Sequence, residues 1–505
     1  MAQLKIVCGA ETLCRTVPEG TRLSDALRAE RLMPAMPCGG HGRCGKCRVT
    51  AFGRLSRPSA EERSCLSPEE IAQGVRLACC TAVLGDAEIQ LSSREAEGQI
   101  CTSGAMQSAA KAPMFQALGA AVDVGTTTLA AALFDKSGQL AVSAAHNPQR
   151  AFGADVITRI GQAMAGEGPA LAQAVRRAIG GLLGEMCAQA GRETAEIDSL
   201  VITGNTTMLH LLTGEDPSPL AAAPFAAREL FGKTVPARAL DLPCAPGAQV
   251  YLPRCMSAFV GGDITTALLA SGICRQPDSA MLIDIGTNGE IALWHDGQLT
   301  CCSTAAGPAF EGANLSQGMQ GASGAIDRAW MEDGRLKLHT IGDAPARGIC
   351  GSGVADVLAC LLQSGRLDET GCLADGEKSV LLTETVSFTQ QDVRQVQLAK
   401  SAIRAGIETL LCQAGLPPED LRQLAIAGGF GSYLSLDSAA AIGLIPRELI
   451  PKSRVLGNAA LSGAAMVLRD RNLQGVCQAW ADSARSADLS TDPVFMDNYI
   501  EYMLF

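Results

Sequence analysis

The chain has 505 residues, 47% of them hydrophobic, with 41 Lys and Arg against 52 Asp and Glu, a formal charge of −11. That length accommodates about two to four domains, and that apolar fraction fills large cores and excludes a disordered chain. The acidic balance, with no basic run, excludes nucleic acid and anionic membrane as partners, because phosphate repulsion would go unopposed. No apolar stretch reaches the length of a membrane span, and the opening MAQLKIVCGAETLCR lacks a basic start, an apolar core and a small-residue cleavage site. The expected location is cytoplasmic, where the 20 cysteines stay reduced rather than forming a disulfide framework.

In chain order, LKIVCGA and TLCRTV read as a strand pair and TRLSDALRAERL as a short amphipathic helix. CGGHGRCGKC at 38–47 and RLACC at 76–80 follow, placing Cys38, Cys44, Cys47 and Cys79 where four thiolates can hold a 2Fe-2S cluster. The x2 spacing of Cys44 and Cys47 lets neighbouring loop residues reach one iron, and Gly39, Gly40, Gly42 and Gly45 let the backbone curl around inorganic sulfide. A zinc site or a set of buried thiols is the alternative, although zinc usually pairs two short C-x2-C knuckles and here there is one. Cys79 is taken over Cys80 as the fourth ligand, with Cys80, Cys65, Cys8 and Cys14 left as packing residues. Between the two Cys stretches SPEEIAQG reads as a capped helical turn, with Ser67 as N-cap, Pro68 at the first helical position, and Glu69 and Glu70 at the positive end of the dipole. This first domain is assigned 1–92, ending near Leu91.

Residues 93–117 are small, polar and aperiodic, and read as a linker or as a segment packed along the main body. Beyond them a diffuse repeat appears, AVDVGTTTLAAALFDKSGQL at 121–140 and MLIDIGTNGEIALWHDGQL at 281–299, each strand, tight turn, strand. Asp123 and Asp284 enter the turns, Gly125 and Gly286 permit close approach, and Thr126 and Thr287 offer hydroxyls and N–H groups to phosphate oxygens. Two facing hairpins of this kind grip a triphosphate such as ATP from both sides, with the carboxylates holding Mg²⁺ through its waters. LAIAGGFGSYL at 424–434 supplies the third element, an apolar strand running into Gly428, Gly429 and Gly431, where backbone can lie against adenosine. GICGSGVADVLACLL adds a helix whose N-terminal N–H groups, after Gly351, Ser352 and Gly353, can also meet the nucleotide.

Hairpin, hairpin and GGFG occur in the order that resembles the superfamily of actin, the heat-shock chaperone ATPases and the sugar kinases. The resemblance implies an α/β body of two lobes around a nucleotide cleft, set here at 118–277 and 278–505, behind an α+β, β-grasp ferredoxin-like domain. It makes LVITGNTTMLHLLTG and NAALSGAAMVL the connecting segments, and implies nucleotide contacts at Thr127, Asn288, Gly204 and Asn205. In the helix spanning 387–415, Val396, Ala399, Ile403, Ile407, Leu410 and Leu411 form an apolar stripe, while Lys400 and Arg404 lie one turn apart on another face. The family implies such a basic pair beside the adenosine; a solvated face is the other reading.

The combination of a 2Fe-2S domain, a linker and an actin-like ATPase resembles the ATP-dependent reductive activators of corrinoid proteins over essentially the whole chain. AVDVGTTT, TGNTTMLHLL, FVGGDI, DIGTNGEI, GICGSG, QLAKSAIRAGI, AGGFGSYL and the tail FMDNYIEYMLF carry the likeness. It implies one-electron reduction of Co(II) to Co(I) in a partner corrinoid protein, coupled to ATP binding and hydrolysis, with electrons from a low-potential donor. No D-x-H-x-x-G cobalamin signature occurs, and Met208 stands where His210 would need an Asp, so the corrinoid belongs to the partner. Whether the chain pairs as a homodimer stays open. Two rivals remain: a small-molecule kinase with Asp263, in FVGGDITTALLASG, as base, and an ATP-switched electron carrier for another low-potential enzyme. Asp263 is read as a helix cap supporting the nucleotide site or as a group that moves a proton or orients water.

Overall fold

Ala2, Leu4 and Ile6 are buried and alternate with exposed Gln3 and Lys5, a period of two that folds as strand β1 (Ala2–Cys8). The computed structural model describes residues 1–8, 11–30, 32, 36, 38–91, 110–430 and 433–505. Strands β2 (Glu11–Val17), β3 (Arg48–Leu55), β4 (Val75–Leu77) and β5 (Val83–Leu91) complete a five-stranded sheet in the order β2-β1-β5-β3-β4. β1 and β5 are parallel and the other pairs antiparallel, and helix α1 (Leu23–Ala29) adds Leu23 and Leu27 to the same core. This is the expected β-grasp arrangement.

Two short helices, α2 (Ala60–Cys65) and α3 (Pro68–Ala72), bridge β3 and β4. Ser67 caps α3 as anticipated, accepting from Glu70 N at 3.2 Å while Glu70 returns a bond to the Ser67 N–H. Ser59 and Glu62 form a second reciprocal cap on α2. Glu62 is fully buried and satisfied by five donors: Arg76 Nε and a terminal guanidinium N–H, Leu77 N, Thr81 Oγ1 and Ser59 N. This network pins β4 and the turn carrying Cys79.

The chain divides into two compact units: Met1–Ala96 with Asn147–Val175 and Leu211–Pro224, and Glu97–His146 with Arg176–His210 and Phe225–Phe505. Part of the stretch read as lobe one thus groups with the Cys-bearing domain. Within that first unit helix α4 (Val156–Gln162), capped by Asp155, meets the Cys loop: Gln162 Nε2 donates to Gly39 O at 3.1 Å. The Arg28 guanidinium lies 4.7 Å from the Phe152 ring centroid.

The second unit holds two six-stranded sheets built alike. In the first, β6 (Leu118–Val124), β7 (Thr128–Phe134) and β8 (Gln139–His146) form an antiparallel meander. β6 also runs parallel to β9 (Ile197–Gly204), and β11 (Gln249–Leu252) and β10 (Lys233–Pro236) extend the sheet beyond β9. Helices α5 (Gly168–Ala190), α6 (Thr206–Thr213) and α7 (Gly262–Ser271) intervene. In the second sheet, β12 (Ala280–Ile285), β13 (Gly289–His295) and β14 (Gln298–Thr304) repeat the meander.

β12 runs parallel to β20 (Gln423–Ala427), with β21 (Ser453–Gly457) beyond it and β22 (Arg485–Ser486) on β14. Between β14 and β20 come β15 (Ala325–Glu332), β16 (Arg335–Thr340), β17 (Gly348–Ile349) and α8 (Gly351–Gln363). The pair β18 (Ser379–Leu381) and β19 (Ser387–Thr389) then leads into α9 (Gln390–Ala414). The repeat is one of register. Asp123 sits opposite Thr203, just before Gly204 and Asn205, and Asp284 sits opposite Ala427, just before Gly428 and Gly429.

After α10 (Leu436–Ala441), helices α11 (Ala459–Arg469), α12 (Leu473–Ser483) and α13 (Pro493–Glu501) end the described chain. Leu461, Ala464 and Leu468 of α11 and Cys477 of α12 share a core with Ala121, Val201 and Tyr251 of the first sheet, so this stretch packs on the first sheet although it falls within 278–505, the span set for lobe two. α11 crosses α7 so closely that a Cβ on Gly463 would come within 1.8 Å of Thr266 O.

Residues 93–109 of the expected linker lie outside the described residues. Residues 110–117 do not behave as a linker: Met114 N donates to Leu468 O, Gln116 N and Ala117 N donate to Asp198, and Phe115 is fully buried.

Candidate functional site

In the first unit the loop 38–47 turns on four glycines with left-handed backbone, Gly39, Gly40, Gly42 and Gly45, at φ between +61° and +90°. Gly42 also has no room for a side chain, since a Cβ there would lie 2.8 Å from Cys80 Sγ. The sulfurs come in two pairs: Cys38 and Cys44 are 3.3 Å apart, and Cys47 and Cys79 are 3.3 Å apart. Two thiolates on one tetrahedral metal at about 2.3 Å stand roughly 3.8 Å from each other, so each pair can close on one metal.

A mononuclear zinc site needs the ligands around one point, and among the described residues no three such side chains converge that way. Two pairs suit two irons. Cys44 and Cys47, two residues apart in the chain, do not pair with each other here; each lies against a more distant thiol. The hydrogen bond with Cys79, ahead of burial, together with backbone N–H groups, pulls the Cys47 thiol down to about 7, while the same contact pushes Cys79 up. Cys79 is buried between Cys47 and Cys80, whose Sγ is 3.6 Å away. Cys65 donates to Gly42 O and packs as expected, whereas Cys14 is exposed.

In the second unit the two hairpin turns, the Gly428–Phe430 corner and the start of α8 line a cavity of about 530 Å³. Asp123, Gly125, Thr126, Thr127, Asn205, Asp263, Asp284, Gly286, Thr287, Asn288, Gly428 and Gly429 all line it. Gly428 has φ +94°, and a Cβ there would meet Ile285 O at 2.5 Å and Asp284 Oδ1 at 2.7 Å, so only glycine keeps β20 this close to the second hairpin. Gly431 lies outside the described residues. Gly204 stands behind the cavity, where it lets β9 approach Val124. Asp263 is not the helix cap; Gly261 holds that position, and Asp263 in the first turn of α7 accepts from Ile264 N while facing the cavity.

Carboxylates crowd this wall. Burial pushes Asp123 up to about 6, against the Asn458 hydrogen bond that pulls it down. Burial, then Asp123 and Glu311, push Asp284 to about 7; burial, then Asp123 and Asp284, push Asp263 to about 8. Glu290 is raised as well, by burial and then Asp263 and Asp284. Such a set resists ionising without a cation, and this donor chemistry fits Mg²⁺. No three of the described acidic side chains form a direct ligand set.

Lys400 and Arg404 are not at the cavity. Lys400 is fully buried beneath the C-terminal segment, donating to Leu504 O with its ammonium 4.8 Å from the Phe505 ring centroid. Arg404 stacks on Tyr502 and pairs with Glu408. Sequence reasoning also missed groups on the cavity wall: Glu290, Glu311, Asn458, the stacked Phe310–Phe430 pair, and His339, which is bonded to Asp327 at 2.6 Å. The one available signal for Glu311 was its place between glycines in GPAFEG, just after the second hairpin.

Fold and site together define a class, an iron–sulfur domain joined to an ATPase body of the actin, sugar-kinase and heat-shock-chaperone type. Residues 6–84 match the 2Fe-2S iron-sulfur cluster binding domain, 118–276 the RACo middle region and 278–505 the C-terminal ASKHA domain of RACo. The corrinoid activation enzyme RamQ of Eubacterium limosum is 35% identical over 425 residues, 77% of this chain and 70% of that one. The Co(II) methylated amine-specific corrinoid protein reductase of Methanosarcina barkeri is 26% identical over 341 residues, 61% of this chain and 63% of its own. A solved structure of a reductive activator for corrinoid, iron-sulfur protein superposes with a TM-score of 0.70 at 28% identity, covering 99% of this chain and 98% of that one. The chain belongs to the RACo-like family of corrinoid-protein activators. Among the described residues no helix is long and apolar enough to cross a membrane.

Proposed function

We propose that this chain is an ATP-dependent reductive activator that returns one electron to a partner corrinoid protein, taking Co(II) to Co(I). The observation that carries the reading is the presence in one chain of the two thiol pairs and the two-hairpin acidic cleft, a combination a small-molecule kinase has no use for. Cys38 and Cys44 hold one iron, Cys47 and Cys79 the other. The cluster supplies one-electron chemistry at a potential near roughly −400 mV.

In the cleft Thr126, Thr127, Thr287 and Asn288 take the phosphates between the hairpins, and Gly125 and Gly286 let backbone N–H groups approach them. Asp123 and Asp284 hold Mg²⁺ through its waters, Asp263 orients the attacking water, and Gly428 and Gly429 lie against the nucleoside.

Reducing an acceptor that lies lower in potential costs about 2.3 kcal/mol per 100 mV for one electron. ATP offsets this only if the ATP-bound chain prefers one state of its partner. Hydrolysis then releases the partner and gives the cycle its direction. A low-potential donor upstream, a cytoplasmic setting and a homodimer complete the reading.

The test is anaerobic absorbance of a Co(II) corrinoid protein mixed with this chain, reductant and Mg²⁺, with and without ATP. The Co(I) band is expected only with ATP. Persistent Co(II) despite an intact cluster and bound ATP would refute the reading.

A further inference from the structure

Glu311 ends the short helical turn Pro308–Glu311 that follows β14. Its carboxylate joins the two hairpins: Oε2 accepts from Thr127 Oγ1, and Oε1 accepts from Thr287 Oγ1 at 3.0 Å. The turn that carries it has little freedom. Phe310 is buried and stacks on Phe430 with centroids 4.7 Å apart, which ties the turn to the glycine corner. On the far side Gly312 has φ +74°, and a Cβ there would lie 2.2 Å from Met319 O. At the start of α8, a Cβ on Gly351 would lie 1.8 Å from Phe310 O. One rigid turn therefore touches both hairpins, the glycine corner and α8.

A threonine hydroxyl has one proton to donate. Thr127 and Thr287 can give theirs to the Glu311 carboxylate or to phosphate oxygens, but not to both. A phosphate group placed between the hairpin tips would also meet the negative charge of Glu311, whereas a nucleotide ending one phosphate earlier would leave the bridge in place.

We propose that Glu311 is the residue through which the cleft tells ATP from ADP, its carboxylate competing with the terminal phosphate for the hydroxyls of Thr127 and Thr287. This rests on the ATPase reading above and adds to it a sensor for the terminal phosphate. ATP opens the Thr127–Glu311–Thr287 bridge and releases both hairpin tips from the turn that bears on Phe430 and α8; ADP does not.

The test is calorimetric titration of the full chain with Mg²⁺ and either ADP or a non-hydrolysable ATP analogue. Glu311→Gln is isosteric and uncharged, and is expected to raise analogue affinity about tenfold while ADP affinity stays within about twofold, because a charge-assisted competitor has become a neutral one. Thr287→Val, which removes a donor, is expected to move the ratio of the two affinities the opposite way. A residue that merely supported the fold would shift both nucleotides together. Glu311→Ala reads out the same ratio should the amide variant fail to fold. An unchanged or lowered analogue-to-ADP ratio in the Glu311 variants overturns the proposal, whereas a wild-type chain that binds neither nucleotide overturns the ATPase reading beneath it.

Discussion

Asn458 Nδ2 donates a 2.9 Å hydrogen bond to Asp123 Oδ2, joining residues 335 positions apart. The same side chain caps α11, its Oδ1 accepting from Leu461 N at 2.8 Å. One amide thus fixes both the crossing helix and the carboxylate of the first hairpin, and its bond pulls Asp123 down against burial. Asn458→Ala should cost about 1 kcal/mol of stability through the lost cap. It should also weaken Mg-nucleotide binding about tenfold, through an Asp123 that ionises less readily. Asn458→Ser restores a capping oxygen without the donor. It should recover the melting temperature but not the affinity, a separation that thermal unfolding and titration calorimetry on one sample can read.

The carboxylates at about 6, 7 and 8, Asp123, Asp284 and Asp263, make a signed prediction. Each is raised above its ordinary value of 3.8, so the folded chain binds more protons than the unfolded chain between that value and the raised one. Their contribution is fully present below the ordinary value and is lost as pH rises through the window ending near 8. The ATPase body should therefore melt lower at pH 8.5 than at pH 5.5 without Mg²⁺, about these groups alone. Asp263→Asn should flatten the slope, and Mg-nucleotide should lessen it. A slope that neither change touches would assign the pH dependence to other groups.

The hairpins, the glycine corner and the clustering of the Cys thiols were legible because each is a local pattern. Asp123-x-Gly125 and Asp284-x-Gly286 interrupt apolar strands, and C-x5-C-x2-C falls in one loop. What escaped depends on distant chain. Lys400 and Arg404 stand one turn apart as a nucleotide-facing pair would, but which surface covers that face is decided by residues 502–505, more than 90 positions on. Asn458 is called to Asp123 by the crossing of α7 and α11, and no spacing announces that. The partners of Cys44 and Cys47 follow from the loop's left-handed glycines and from the β4 turn, not from the interval between the two cysteines.

Cys79 and Cys80 are adjacent, yet only Cys79 stands 3.3 Å from Cys47. Cys79→Ser should lose most of the bound iron and the visible absorbance of the anaerobically reconstituted protein. Cys80→Ser should retain both, since the Cys80 sulfur lies against Gly42. Equal loss in the two variants would show that either thiol can serve.

Glu62 and Arg76 form a buried, bidentate ion pair with both nitrogen–oxygen distances at 2.9 Å. Removing one partner leaves the other charge buried, which costs about 3–5 kcal/mol. Glu62→Ala should accordingly lower the melting temperature of the Cys-bearing domain and speed iron release to a chelator. Replacing both, Glu62→Met with Arg76→Leu, should recover most of the loss. If the double variant is as unstable as the single one, the hydrogen bonds to Leu77 and Thr81 matter more than the charges.

The tail gives the last test. Burial, with repulsion from Arg404, pulls the Lys400 ammonium down to about 7, and its contacts are Leu504 O and the Phe505 ring rather than anything on the cavity wall. Gln397 Nε2 donates to Met503 O at 2.6 Å and Phe505 N to Glu369 O at 2.8 Å, so α9 and the turn at Glu369 together hold the segment. Lys400→Met keeps the volume and removes the buried charge; nucleotide affinity should stay within about twofold, with stability changed little. Tyr502→Ala with Phe505→Ala removes both rings that face cations, and should cost about 2 kcal/mol. A large loss of nucleotide affinity in Lys400→Met would return Lys400 to the adenosine site, where the family resemblance first put it. Loss of stability in the ring variant alone fixes its role as an anchor of the tail.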